Sequence, residues 1–119
     1  MNVEQEIENV LTADVTVAGL VVERVYAMPL PQNVTLPVIV YSRVATVPHD
    51  DLELTQNHER VRVQIDCWAS TYAEAKTLAA AVRTAMQATP VFGQLLMELD
   101  DYDPDVKLHR VIQDFNIWN

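Results

Sequence analysis

A single cysteine, Cys67, leaves the chain unable to form an intrachain disulfide or a multi-cysteine zinc site, so the composition fits a reducing compartment without requiring one. Only two glycines are present, Gly19 and Gly93. Neither belongs to a run that could cradle phosphate, which removes P-loop and dinucleotide-binding readings. No apolar stretch approaches a membrane span. The opening MNVEQEIENV puts Glu4, Glu6 and Glu8 where a secretory signal needs a positive segment and then an apolar one, so neither a signal peptide nor membrane attachment is expected. Bases are scarce: eight Lys and Arg face seventeen Asp and Glu, a formal charge of −9 and a pI near 4.5. That sign repels a phosphate backbone, and tight nucleic-acid binding is not expected.

What is present is apolar material: half of the 119 residues, too much for a disordered chain and enough for a core without metal or disulfide staples. One domain over residues 1–119 is the expectation. Val3, Ile7, Val10 and Leu11 lie on one face of a helix from about residue 2 to 13. Asp14 and the segment Thr16 to Gly19 then interrupt the period, with Gly19 able to supply a positive φ. A short strand is expected around Arg24 to Met28. Pro29, Pro31 and Pro37 make the following segment an extended loop outside any sheet.

Val38 to Val44 is β-branched and alternating, hence a strand. Residues 60 to 68 alternate more cleanly, with Val61, Val63, Ile65 and Cys67 facing a core and Arg62, Gln64, Asp66 and Trp68 opposite. The polar stretch between, about residues 45 to 59, reads as a long loop. Thr71 and Glu74 form a capping box, although Ser70 could cap instead, and a helix runs on to about residue 88. Two strands are expected after it, about Leu95 to Leu99 and Lys107 to Trp118, joined by the acidic turn Asp100 to Asp105. The last one breaks strict alternation, which predicts a bulge or burial on both faces. Strands joined without crossover helices favour a largely antiparallel sheet of four to five strands with two helices on one face, an α+β domain.

Chemistry is sought and not found. His49, His58 and His109 have no ligand spacing. Asp101, Asp103 and Asp105 imitate the start of a calcium loop, but Val106 stands where the turn needs Gly and Ile112 where it needs a bidentate Glu. Ser42, Ser70 and Cys67 have structural positions, and Asp50-Asp51 lie in a loop with nothing to raise a pKa. Neither catalytic, cofactor-binding nor metal-binding residues are therefore assigned, and no cofactor is expected. Arg60 and Arg62 lie beside Glu59 and Asp66, which points to ordinary cross-strand pairing. Trp68 and Trp118, large and near strand ends, either pack beneath the helices or anchor a subunit interface.

Three runs carry a resemblance: ERVYAMPLPQNVTLPVIVYSRV, RVRVQIDCWASTYAEAKTLAAAVRTAM and VKLHRVIQDFNIWN. The most telling pieces are Arg24-Val25-Tyr26, Leu36-Pro37 before Tyr41, Asp66-Cys67-Trp68-Ala69 running into Tyr72-Ala73-Glu74-Ala75, and the closing Phe115-Asn116-Ile117-Trp118. In this order they resemble the tail-completion, or tail-terminator, proteins of long-tailed bacteriophages, prophages and gene transfer agents. The resemblance implies a non-enzymatic structural subunit of the virion tail or neck, assembled in the host cytoplasm. Such subunits form a ring, usually hexameric, on the last ring of the tail-tube protein, stop tube growth, and meet the head connector or stopper. DNA passes through the lumen without tight binding. Asp50, Asp51 and Glu53 are the first candidates to line it, and Asp100, Asp101, Asp103 and Asp105 the second; solvation of the outer surface is the simpler role for all of them. The chain departs from the family pattern at Val22, where Gly often precedes the Arg-Val-Tyr piece, and in its Gly-free loop 46 to 59. The alternative is a small ferredoxin-like enzyme or ligand-binding domain, which needs a pocket with convergent polar groups.

Overall fold

A computed structural model describes residues 3–49, 58–88 and 93–118. The chain order is α1 (Val3–Ala13), α2 (Val15–Val21), β1 (Val25–Ala27), β2 (Val38–His49), β3 (His58–Ala69), α3 (Tyr72–Gln87), β4 (Gln94–Asp103) and β5 (Leu108–Trp118). The strands form one sheet in the order β1-β2-β3-β5-β4. Only β1 runs parallel to its neighbour, β2; every other pairing is antiparallel.

The expected pair of helices is corrected to three. Asp14, read as the interruption of one helix, is the N-cap of the next: its backbone is extended and its carboxylate accepts the Val17 N–H at 3.0 Å. Thr16 and Gly19 are weak helix formers, but Val17 and Val21, one turn apart, are both fully buried, and that packing outweighs propensity. Gly19 is thus helical, and the positive φ falls on Val22, at 58°, where α2 ends. Arg24 then ties this corner together, donating from Nε to the Pro37 carbonyl at 3.0 Å and from its terminal nitrogen to the Leu20 carbonyl at 3.4 Å.

The main core lies between the helices and one face of the sheet. Val3, Ile7 and Leu11 of α1 and Leu78, Ala79, Val82 and Met86 of α3 meet Ile39, Val63, Ile65, Cys67, Val111 and Phe115. Full burial of a side chain such as Phe115 is worth about 1.5–3 kcal/mol, and the small alanines of α3 let its axis come close. Gly93 has a packing reason: a Cβ there would lie 3.1 Å from the Met86 carbonyl oxygen and 3.3 Å from the Phe115 ring. Thr71 proves to be the α3 cap, its hydroxyl accepting the Glu74 N–H at 3.2 Å.

Two further expectations are corrected and a third is decided between its alternatives. The segment read as a loop is strand at both ends, because β2 and β3 continue as a ribbon to the pair His49 and His58. The acidic turn begins later, since Asp100 to Asp103 belong to β4 and only residues 104–107 turn, with Lys107 at φ 57°. Of the two alternatives expected for the last strand, the continuous β3–β5 register excludes a bulge, with irregularities falling at Val44 in β2 and Leu96 in β4, and burial reaches both faces, Asn116 being buried on the face opposite Val111, Phe115 and Ile117. Alternation in β5 is also broken by chemistry. Gln113 occupies a fully buried position on the helix side, where its Nε2 donates to the Ala79 carbonyl and to Glu98, each at 2.9 Å.

Lys76 of α3 continues that clamp, reaching Glu98 at 2.8 Å and Asp100 at 3.0 Å, while the Tyr72 hydroxyl donates to Asp100 at 2.9 Å. These contacts hold Glu98 and Asp100 below the usual carboxylate range, chiefly through their bonds to Lys76. A lowered folded pKa means the unfolded chain binds protons first on acidification, so this contribution is complete above the ordinary pKa values, 4.5 and 3.8, and is lost as pH falls below them.

Two outcomes are expected. Lys76→Met should cost about 0.5–1 kcal/mol of unfolding free energy at pH 7, a typical ion-pair value, with the difference from wild type shrinking towards zero by about pH 2, when both carboxyls are protonated; urea titration at the two pH values checks it. Val22→Gly relieves a β-branched residue in the left-handed region and should stabilise by about 1 kcal/mol, a melting temperature higher by roughly 4 °C, read by calorimetry.

Candidate assembly surface

Alternation assigns each strand residue to one of two faces. The face opposite the helices carries Val38, Val40 and Ser42 from β2, Arg60 to Trp68 at even numbers from β3, Leu108 to Asn116 at even numbers from β5, and Met97, Leu99, Asp101 and Asp103 from β4. Among the described residues, only one end of this face is covered. Leu30, Val34 and Leu36, in the proline-punctuated segment between β1 and β2, pack with Tyr26 and Leu108 around Val38, Val40 and Trp68. The segment is therefore more than an extended connection: it is the lid of a second, small core.

Trp68 belongs to that core and not to the helix side. It is 6% exposed in the single chain, with the Arg110 guanidinium 4.9 Å above its ring. Trp118 is the last described residue of β5 and lies opposite Arg60 in the backbone register, at the far end of the sheet. Asp50, Asp51 and Glu53 lie outside the described residues. The structure thus brings Trp68 and Trp118 to opposite ends of neighbouring strands.

Beyond the lid the face is a lattice of charge. Arg110 lies 2.6 Å from Asp101 and 3.5 Å from Asp66, and Arg62 lies 3.3 Å from Asp114. The arginine partners are thus acids of the adjacent strands, with Asp66 serving Arg110 and not the Arg60–Arg62 pair. Burial pushes the Asp66 carboxyl up, against the opposing pull of Arg110 and a hydrogen bond from Gln64. Asp101 is held low by its bond to Arg110. Among the described residues, the buried side-chain atoms without a hydrogen-bond partner are Arg60 Nε, Arg62 Nε, Arg110 Nε, Trp68 Nε1 and Asn116 Oδ1 on this face and Gln113 Oε1 alone on the helix side. An unpaired buried polar atom costs about 1–3 kcal/mol, so this face is the less satisfied of the two.

Apolar groups share the surface: Met97 and Leu99 are half exposed and Leu96, at the bulge, is 43% exposed. The acids expected to form a turn or line a lumen divide accordingly. Asp101 and Asp103 lie on the open face, Asp100 lies on the helix side with Lys76, and Asp105 is in the turn, its N–H donating to Asp103.

On the helix side Tyr41 donates to Glu8, and burial together with that bond holds the phenol protonated above its usual range. Arg43 grips Glu4 at 2.7 Å, fixing α1 against β2. The Cys67 thiol is fully buried and pushed up by burial, so it is a packing group and not a nucleophile. The His109 ring lies tilted against Tyr102, with centroids 4.9 Å apart, and meets Tyr72 edge-on. Among the described residues no three His, Cys, Asp or Glu side chains come together in a way that could hold a metal ion, and no helix is long and apolar enough to cross a membrane. A groove of about 510 Å³ lies beside the lid between Leu30, Val34, Leu36, Val106 and Leu108. Gln32 and Asn33 are its polar lining, and no titratable side chain converges on it.

This geometry suits contact between macromolecules, and comparison with known proteins agrees. A search of curated proteins found no match. Among solved structures, a chain described as "Virion of native gene transfer agent (GTA) particle" superposes with a TM-score of 0.73 at 20% identity, over 94% of this chain and 90% of that one. At that identity the likeness establishes the fold. The model of the family described as "Tail completion protein gp17" matches residues 5–119, nearly the whole length. The chain belongs to this tail-completion family, and its role is that of a structural, non-enzymatic component of a phage-type tail or neck.

Proposed function

We propose that the chain acts as a ring at the head-proximal end of a phage-like tail, where it ends growth of the tail tube and joins the tail to the head connector. The observation that carries this reading is the family match over residues 5–119. It is supported by the fold shared with a chain of a gene transfer agent virion, and by a surface that mixes half-exposed apolar groups with paired charge in place of a converging site.

In this reading the partners are further copies of the chain, the tail-tube protein below and the connector or stopper above. DNA crosses the lumen. A wall that attracted the backbone would hold it through counterion release, so an acidic subunit repeated around the channel keeps the passage free. Asp50, Asp51 and Glu53 remain the first candidates for that wall. Trp68 and Trp118, near opposite ends of the sheet, remain candidates for contact with a neighbour.

Purified chain incubated with tubes of the cognate tail-tube protein should appear in electron micrographs as a ring on one tube end, and capped tubes should stop lengthening. Tubes that continue to grow at the same rate with the chain in excess would overturn the proposal. Particles carrying Asp50→Lys, Asp51→Lys and Glu53→Lys together should assemble but eject DNA several-fold more slowly at low salt, recovering as salt rises. Unchanged ejection from intact particles would place these acids outside the channel.

A further inference from the structure

The sheet has two open edges, and they differ in charge. β1 pairs with β2 only from Ile39 to Tyr41. From Ser42 onward, among the described residues, no strand lies on that side of β2. At the opposite side of the sheet, among the described residues, β4 pairs with β5 alone and no strand lies on its other side. β2 (VIVYSRVATVPH) contains Arg43 and no acid, whereas β4 (QLLMELDDYD) contains Glu98, Asp100, Asp101 and Asp103 and no base.

Both edges also present apolar side chains. Val44 is 52% exposed at the β2 bulge, and Leu96, Met97, Leu99 and Tyr102 are each close to half exposed on β4. A long edge with exposed apolar groups is a template for another strand. Its acids determine which strand. Two β4 edges paired about a two-fold axis would set four acids against four with only Lys76 and Arg110 of each copy to offset them, and the like charges left in excess are destabilising. The acid-free half of β2 in a second copy presents no such repulsion.

Strand direction also fits. β2 is antiparallel to β3, β3 to β5, and β5 to β4, so β4 runs opposite to β2. A second copy generated by rotation about an axis along the strands keeps its own strand directions. Its β2 therefore meets the first copy's β4 antiparallel, the more stable arrangement. The contact uses a different surface on each partner, so it propagates head to tail and closes into a ring where the rotation allows.

We infer that Ser42 to Val47 of β2 in one copy pairs antiparallel with Met97 to Asp103 of β4 in the next, joining the sheets edge to edge. This rests on the ring reading above and adds the residues that make the ring. Pro48, which has no N–H, limits the ladder at its far end. The bulge at Leu96 limits it on the β4 side, and the one at Val44 lies within it.

The test compares hydrogen exchange of the wild-type chain as a monomer, at low concentration and low salt where copies of charge −9 repel, with the assembled form isolated by sedimentation at high concentration and physiological salt. Amides of residues 42–47 and 97–103 that point outward should slow at least tenfold on assembly, while those of α1 keep their rates. Alternate residues of an edge strand aim their N–H outward, so Leu99→Pro and Asp100→Pro are made separately. The one that leaves the β5 ladder intact should fold and sediment as a monomer. If both unfold, the exchange comparison on the wild-type chain decides alone. Rings that form with both edges exchanging at monomer rates would overturn the edge pairing and leave the ring reading standing. A wild-type chain that remains monomeric at every concentration, alone and with tubes, would overturn both.

Discussion

All three helices pack on one face of the sheet, and the rest of the structure is arranged around that asymmetry. A sheet needs an apolar layer on each face it hides from water, and the helices provide only one. The other face receives a partial substitute, the segment carrying Leu30, Val34 and Leu36, which seals Val38, Val40 and Trp68 and no more. Strands that continue past this lid have to be compatible with water on one side. Arg62, Gln64 and Asp114 serve that need, as polar residues on one-sided antiparallel sheets do generally. The surface of the molecule that is available for assembly is thus a direct product of how its core is built.

Charge follows the same logic. With seventeen acids and eight bases, a cation left unpaired would be poorly used, and four of the bases bridge separate elements. Arg43 holds α1 on β2, Lys76 holds α3 on β4, and Arg62 and Arg110 cross between strands. Each such pair is worth little alone near the surface. Lys76, Glu98 and Gln113 gain from forming one connected network, in which the buried glutamine spans helix carbonyl and strand carboxylate. With these four bases committed internally against seventeen acids, surplus acid is left to face outward.

Much of the fold was legible in the sequence where burial imposes a period. The α1 stripe Val3, Ile7, Leu11, the Thr71 cap and the alternation of Val61 to Cys67 could be read directly, because each is a local consequence of one buried face. What escaped reading had a nonlocal cause. α2 is held by Val17 and Val21 against the core in spite of its composition, and its only local sign was Asp14 at the cap. The outer parts of β2 and β3 look like a loop because cross-strand hydrogen bonds, not a core, make them strands. β4 looks like an acidic turn because its neutralising partners, Lys76 and Arg110, are distant in sequence. The assembly surface was hidden for the same reason: β4 is an edge only because β5 inserts between it and β3, and strand order leaves no mark on any single segment. Family resemblance reached the role by another route, and it also marked Val22 as a departure at the position where the backbone turns left-handed.

In the proposed ring, a subunit of charge −9 that meets its own kind faces a problem of direction as well as strength. At physiological salt, charges beyond about 8 Å are largely screened, so repulsion between copies is decided by what lies within the contact. An isologous contact sets each patch against itself, which in this chain places acid against acid wherever β4 takes part. A heterologous contact can place an acid-rich strand against an acid-free one, and it carries its own termination. An open sheet edge is a liability because it can add strands without end, whereas a closed circuit of sheets has no edge left to extend. The same two edges that would make the free subunit prone to association therefore become, once the circuit closes, the reason that association stops.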